Sequence, residues 1–305
     1  MRQRTLQREF RFEGKGLHTG KIAHMTVGPA PENTGVRFLR TDLGEGAYVD
    51  ALAANVSRTA RSTMISNGEV SVRTVEHLLS ALTGLGIDNA LVCLDGQEVP
   101  ILDGSAAPYV EAFTADSIVE QEAERQWVEL REPVVVEDPR TGAYLRITPA
   151  EQPSYEVTID FNSKVLGVQT VHWDPSVDYA TQIGPCRTFC FFHELKRLVL
   201  LGMIKGGDLE NAIVVVENKV PLWQIRLWLR LFGLPLPEGM SREPGCYARG
   251  GLRFPDECGR HKLLDVLGDL RLCGGFLKAK VEAYKPGHRM NTLAAKEISK
   301  VLYNG

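Results

Sequence analysis

Apolar residues in the first third of the chain recur in short alternating or continuous runs, Ile22 to Val27, Gly35 to Leu39 and Asn89 to Leu94, each closed by Gly, Pro, Asn or Asp. Such runs predict strands joined by turns. Two segments change period. From Val75 to Thr83 the residues Leu78, Leu79 and Leu82 fall on one side of a helix, with Thr74 as N-cap and Gly84 as terminator. Ala107 to Phe113 predicts a second helix, after the turn Asp103-Gly104-Ser105. The acidic stretch Glu120 to Arg125 reads as a linker. The pattern then restarts, with strands at Trp127 to Glu137, Ala143 to Thr148 and Tyr155 to Phe161 and helices at Phe191 to Leu201 and around Asp256 to Cys273. A strand at Leu277 to Tyr284 and a helix from about Thr292 close the chain. Two successive blocks of strands and helices predict an α+β protein of two layered domains, 1–125 and 126–305. No repeat is detectable by sequence identity.

One later segment, Pro221-Leu-Trp-Gln-Ile-Arg-Leu-Trp-Leu-Arg-Leu-Phe-Gly-Leu-Pro-Leu-Pro237, is almost wholly apolar, with Arg226 and Arg230 one helical turn apart. It predicts a helix packed on the protein with its arginines in water; the alternative is an interfacial helix touching a membrane or a lipid substrate.

Arg260-His-Lys-Leu-Leu-Asp-Val-Leu-Gly-Asp-Leu270 carries the most chemistry. His261, Asp265 and Asp269 fall on consecutive turns of one stripe about 80° wide, bordered by Lys262, while Leu263, Val266, Leu267 and Leu270 face the other way. The stripe is either a solvated polar face or a metal-binding one, because side chains at i and i+4 lie about 5–6 Å apart and can share an ion. Glu76 and His77 open the earlier helix. Adjacent helical residues point about 100° apart, so a His on a metal can leave its Glu neighbour beside a water on that metal. A further ligand from a distant helix would complete a two-His, one-carboxylate site with an open position, the arrangement of hydrolytic zinc enzymes. Dipole placement of Glu76 and a core role for His77 are the competing explanations. His288, in the turn Lys285-Pro-Gly-His, is either a loop histidine or a group aimed into a cleft as general acid or oxyanion stabiliser. Asp269 is placed to orient it. Thr188 offers a hydroxyl, either a helix cap or an oxyanion donor.

Composition narrows the class. The 305 residues hold 35 Lys plus Arg against 38 Asp plus Glu, a net charge of −3. No strong positive field exists to hold nucleic acid non-specifically. The basic start, Met1 to Phe10, is not followed by an apolar stretch of signal-peptide length, and no uncharged run of about 18 residues predicts a spanning helix. Six scattered cysteines without a C-x-x-C pair argue against a disulfide scaffold and an all-thiolate zinc site, and suit a reducing cytoplasm.

Together these motifs resemble the UDP-3-O-acyl-N-acetylglucosamine deacetylases, the zinc amidases that commit Gram-negative cells to lipid A synthesis. The resemblance runs through Gly16-Leu-His-Thr-Gly20, Asn33-Thr-Gly35, Arg40-Thr-Asp-Leu43, Thr74-Val-Glu-His77, Gly84-Leu-Gly-Ile-Asp-Asn89 and Asp103-Gly-Ser-Ala-Ala-Pro108. It continues through Arg187-Thr-Phe189, Gly206-Gly207, Asn211-Ala-Ile213, Arg260-His-Lys262, Leu264-Asp265, Gly268-Asp-Leu270 and Gly287-His288. It implies two similar α+β domains with the active site between them. It implies zinc (Zn2+), with ferrous iron (Fe2+) also accommodated by such ligands, on His77, His261 and Asp265. Glu76 is then the general base acting on the metal-bound water, His288 the protonated histidine with Asp269 as partner, and Thr188 the oxyanion donor. Lys262 and Phe189 contact a UDP-linked acylated N-acetylglucosamine. An apolar acyl channel is expected around Phe161 to Val171, with the helix Phe191 to Leu201 nearby. The implied protein is a cytoplasmic monomer without nucleic-acid partners, with transient membrane-surface contact as the remaining possibility for its Trp-rich segment. The competing expectations are a non-catalytic relative and an amidase of another N-acetylated sugar. About thirty residues between Val220 and Gly251 depart from the shorter members. No counterpart is expected of the fused dehydratase domain that some bacterial members carry.

Overall fold

The fold is described from a computed structural model covering residues 1–232 and 243–303. The end of the Trp-rich segment, 233–237, lies outside the described residues. Seven α-helices are described: α1 (Glu76–Gly84), α2 (Ala107–Ala112), α3 (Tyr179–Gln182), α4 (Phe192–Leu200), α5 (Leu222–Phe232), α6 (Glu257–Leu270) and α7 (His288–Tyr303).

Two five-strand paths share one topology. In the first sheet the strands lie in the order Phe10–Lys15, Ile22–Pro29, Ala90–Leu94, Val36–Arg40, Tyr48–Asp50. In the second the order is Val134–Asp138, Ala143–Pro149, Phe276–Tyr284, Ser154–Asp160, Val168–Trp173. Both read 1-2-5-3-4 in chain order, and in both the central strand is antiparallel to strand 2 and parallel to strand 3. Each central strand follows a helix, α1 in the first and α6 in the second. The α+β class holds, and the duplication is visible in topology though not in sequence identity. On this topology a division after Arg125 is proposed.

The two equivalent helices pack against each other at the centre. α6 also lies on the strands Ser154–Asp160 and Val168–Trp173, and α7 covers the other end of that sheet. One continuous apolar cluster includes Met25, Phe38 and Val92 of the first sheet, Leu78, Leu79 and Leu82 of α1, and Leu263, Val266 and Leu267 of α6. It continues into Leu145, Val157 and Val281 of the second sheet and Ala294 and Ile298 of α7.

The structure revises several boundaries. Glu120 to Arg125 is not a linker: Ile118–Glu124 is a strand paired antiparallel with Arg2–Leu6, and its alternate residues point their charge to water. Trp127 to Glu137 divides into Trp127–Glu129 and Val134–Asp138, on either side of Pro133. Thr74 is not the N-cap of α1. It takes a left-handed φ of 60°, and its hydroxyl donates to Glu98 Oε1 at 2.9 Å. α7 begins at His288 rather than near Thr292.

Helix α1 approaches α6 at Gly268. A Cβ built there would stand 2.0 Å from the Glu76 carbonyl oxygen and 3.1 Å from the Ser80 nitrogen, both backbone atoms. Gly268→Ala is therefore expected to force the helices apart at a cost of about 1–3 kcal/mol, a fall of several degrees in Tm. Unchanged thermal unfolding would show that the crossing has slack.

Candidate metal centre and active site

The polar stripe of α6 is buried, not solvated. His261 and Asp265 are each 1% exposed and Asp269 is fully buried, because α1 covers one side of the helix and the second sheet the other. From the first turn of α1, His77 meets this stripe: one ligand atom each from His77, His261 and Asp265 lie within 4.8 Å of one another. His77 Nε2 is 3.7 Å and His261 Nε2 3.4 Å from Asp265 Oδ1. Bonds of about 2.0–2.1 Å around a tetrahedral zinc imply ligand separations of about 3.3–3.4 Å, so both histidine nitrogens stand near zinc-site spacing from the Asp265 oxygen.

Their protonation states fit as well. Burial takes the His77 pKa down to about 3 and lowers that of His261, leaving both imidazoles neutral. Burial acts upward on Asp265, but the positive charge around it, Lys262 foremost, outweighs it and holds the carboxyl well below the usual range. Asp265 Oδ1 is buried without a hydrogen-bond partner among the described residues, an arrangement that is costly unless a cation takes the oxygen. The surrounding contacts orient the donors. The Cys186 carbonyl lies 3.0 Å from His261 Nδ1, which leaves Nε2 toward Asp265. Lys262 Nζ donates to Asp265 Oδ2 at 2.6 Å, so this lysine is engaged with a candidate ligand.

Beside the triad stands a second group. Asp269 Oδ2 accepts from His288 Nδ1 and from Asn291 Nδ2, both at 2.9 Å, and Oδ1 accepts from the Thr63 hydroxyl at 2.5 Å. With Nδ1 held, His288 Nε2 faces Glu76 Oε1 at 3.9 Å. Glu76 Oε2 accepts the Thr63 N–H at 3.1 Å. Burial raises the Glu76 pKa to about 8, although His288 opposes the rise. Burial alone would lower His288; Asp269, followed by Asp265 and Glu76, raises it to about 9. A base near neutrality and an acid that keeps its proton are the complementary pair that general acid–base chemistry needs.

Phe189 lies beside this group, its ring 6.4 Å from the His261 ring and 5.6 Å from that of Phe161. The Lys262 ammonium sits 5.6 Å from the Phe189 centroid. Thr188 precedes the strand Phe189–Phe191 rather than a helix, pinned by its N–H to the Gly104 carbonyl at 2.8 Å. Among the described residues no hydrogen bond joins its hydroxyl to Glu76, His288 or the three candidate ligands. In the expected acyl-channel region Phe161 is 42% exposed and Val168 is 65% exposed.

Sequence reasoning missed Thr63 and Asn291, which share Asp269 with His288, and Glu98. The Glu98 carboxylate accepts from the backbone of His18 at 2.9 Å and of Thr19 at 2.8 Å, and from Thr74, tying the Gly16–Gly20 turn to the entry of α1. The Gly-Leu-His-Thr-Gly pattern was the available signal. Backbone strain also marks the site: Thr74 before Glu76, and Lys285 with φ 52° before His288, are non-glycine residues in the left-handed region.

A family model for UDP-3-O-acyl N-acetylglycosamine deacetylases matches residues 3–224 and 240–300. The break falls in the Trp-rich segment. The "Bifunctional enzyme LpxC/FabZ" of Porphyromonas gingivalis is 41% identical over 299 residues, covering 98% of this chain and 64% of the relative. This chain thus spans slightly less than two thirds of that bifunctional relative. The "UDP-3-O-acyl-N-acetylglucosamine deacetylase" of Teredinibacter turnerae is 37% identical, with 98% and 91% covered, and the one of Nostoc sp. is 35% identical, with 98% of both covered. With matches of this extent on both counts, the chain belongs to the UDP-3-O-acyl N-acetylglycosamine deacetylase family.

Proposed function

We propose that the chain hydrolyses the N-acetyl group of UDP-3-O-(3-hydroxyacyl)-N-acetylglucosamine to acetate and the free amine, the committed step of lipid A biosynthesis. The observation that carries this reading is the pairing of Glu76 with His288 across a 3.9 Å gap, beside three buried residues with a zinc donor set. His77, His261 and Asp265 would hold zinc, or ferrous iron, which accepts the same ligands. When bound, the ion supplies Lewis acidity that polarises the amide carbonyl and eases deprotonation of water.

The chain's own residues handle the protons. Glu76 removes one from the attacking water as the new C–O bond forms at the carbonyl carbon. His288, kept protonated by Asp269, then delivers a proton to the nitrogen as the C–N bond breaks. The Thr188 hydroxyl is the proposed donor to the oxyanion. Phe189 and Lys262 would border the sugar, and the exposed Phe161 and Val168 would line the entry of the acyl chain. The six free cysteines suit the cytoplasm, where we place the enzyme as a monomer. Among the described residues no helix is long and apolar enough to cross a membrane.

Incubating the zinc-loaded protein with this substrate should release acetate, and chelation should stop it. Release only from a different N-acetylated sugar would transfer the reading to that substrate, and no release from either would overturn it. Glu76→Ala and His288→Ala are each expected to lose at least about 10²-fold in kcat while retaining zinc, whereas His261→Ala should lose the metal by elemental analysis. The His288 acid is protonated below its raised pKa of about 9, so activity should fall as pH rises through that value. Asp269→Asn removes the main upward influence and should move the alkaline limb to lower pH; an unmoved limb would assign it to another group.

The outer face of α5 supports transient contact with an anionic lipid surface. Trp223 is 67% and Leu227 46% exposed, and Arg226 and Arg230 are exposed beside them. Replacing Trp223 and Leu227 by Ser should reduce co-sedimentation with phosphatidylglycerol-containing vesicles; equal sedimentation would remove this role.

A further inference from the structure

Thr63 is fully buried where the loop entering the strand Met64–Asn67 passes the first turn of α1. Each of its polar groups is bonded to a different part of the site. Its carbonyl accepts the Thr74 N–H at 2.9 Å, which ties the loop to the entry of α1. Its N–H donates to Glu76 Oε2 at 3.1 Å, and its hydroxyl donates to Asp269 Oδ1 at 2.5 Å. Among the described residues, no other apart from His288 bonds or pairs with both carboxylates.

The two bonds divide the carboxylate oxygens. With Oε2 held, Glu76 presents Oε1 to His288 Nε2 across 3.9 Å. With Oδ1 held, Asp269 leaves Oδ2 to His288 Nδ1 at 2.9 Å. Asn291 donates to Oδ2, the oxygen that the imidazole already uses, and so leaves Oδ1 to Thr63. A hydroxyl that meets an ionised carboxylate can only donate, so the direction of the Asp269 bond is set. Charge-assisted bonds of this kind run about 2.5–2.7 Å and are roughly twice as strong as neutral ones.

The loop itself is fixed. Ser62, 1% exposed, accepts from Arg73 Nε at 2.9 Å. Arg61 before it takes a left-handed φ of 64°, and Thr74, to which Thr63 is bonded, one of 60°. Non-glycine residues keep such angles only where their surroundings over-determine them, and Thr74 is held on both sides, by the Thr63 carbonyl and by Glu98.

We propose that Thr63 is the positioning residue that sets base and acid against each other, its N–H aiming Glu76 and its hydroxyl aiming Asp269 and, through it, His288. The inference rests on the acid–base reading above and adds to it the residue that keeps the two groups in register. Glu76 stands on α1, whereas Asp269 stands on α6 and His288 opens α7, so one loop residue spans the helix crossing. Misplacing a reacting group by about 1 Å costs up to about 10²-fold in rate.

The test uses the full-length, zinc-loaded protein. Thr63→Val is nearly isosteric, keeps the N–H to Glu76 and removes the hydroxyl, whereas Thr63→Ser keeps the hydroxyl. With UDP-3-O-(3-hydroxyacyl)-N-acetylglucosamine, Thr63→Val should lose about tenfold or more in kcat at unchanged KM and zinc content. Thr63→Ser should stay within about threefold of the parent. A second readout needs no substrate. In protein carrying isotope-labelled histidine, the Nδ1 proton of His288, identified by its loss in His288→Gln, should resonate far downfield in the parent and in Thr63→Ser, and should shift or broaden in Thr63→Val. If Thr63→Val does not fold, Thr63→Ala is measured in its place. A role in stability alone would lower the thermal midpoint and leave kcat and the resonance in place, which would overturn the proposal. An equal loss in Thr63→Ser would also overturn it, by assigning the effect to the methyl group. A parent protein that released no acetate would sink the proposed function, while the resonance would still decide the positioning.

Discussion

The molecule depends on the contact between α1 and α6 at Gly268. Only a residue without a side chain lets the backbone of α6 rest against the Glu76 carbonyl. That approach brings the first turn of α1 level with the middle of α6, and His77 level with Asp265. The crossing is held from both sides, since Leu78, Leu79 and Leu82 continue the core of the first sheet and Leu263, Val266 and Leu267 that of the second. Ser80, on the same face of α1, is fixed by a 2.8 Å hydrogen bond to the Tyr179 hydroxyl. Packing of this density transmits displacement instead of absorbing it, so spacing at the crossing sets spacing among the candidate ligands.

Two carboxylates one turn apart on α6 have opposite hydrogen-bond accounts, and the contrast separates their roles. Asp269 is satisfied by three donors, Thr63, Asn291 and His288. It can hold an imidazole in place and favour its charged form, but it has little capacity left for an ion. Asp265 receives Lys262 on one oxygen and no hydrogen bond from the described residues on the other, which the two histidine nitrogens flank at 3.7 and 3.4 Å. In a low-dielectric interior that vacancy is a strong attraction for a cation. The same helix stripe thus divides into a turn with an oxygen suited to a cation and a turn whose carboxylate holds an imidazole.

Much of this was legible in the sequence, for definable reasons. Helical periodicity alone placed His261, Asp265 and Asp269 on one stripe, because 3.6 residues per turn is a local rule. The same rule could not say whether the stripe was wet or dry, since α1 arrives from almost two hundred residues earlier in the chain. Thr63 and Asn291 were illegible for that reason: ordinary polar residues acquire their roles only through tertiary contact with Asp269. The strand Ile118–Glu124 reads as a linker because its charges alternate outward on a two-stranded ribbon, and composition masks period when three of seven residues are acidic. Thr74 looked like a cap because its hydroxyl is of capping type; Glu98 takes that hydroxyl instead. The resemblance supplied the remaining roles of Thr188, Phe189 and Lys262.

The shared strand order of the two sheets gives the site its logic. α1 and α6 are the same element of one repeated plan, each entering the central strand of its sheet. The candidate ligand set draws His77 from the first copy and His261 with Asp265 from the second. Glu76 likewise belongs to the first copy, and Asp269 and His288 to the second. Neither copy contains all three candidate ligands or both members of the proposed acid–base pair. A cation held by all three ligands therefore binds only the assembled pair of sheets. By linkage it stabilises that assembly in proportion to its affinity, so the crossing that shapes the site is also the contact that the bound ion would reinforce.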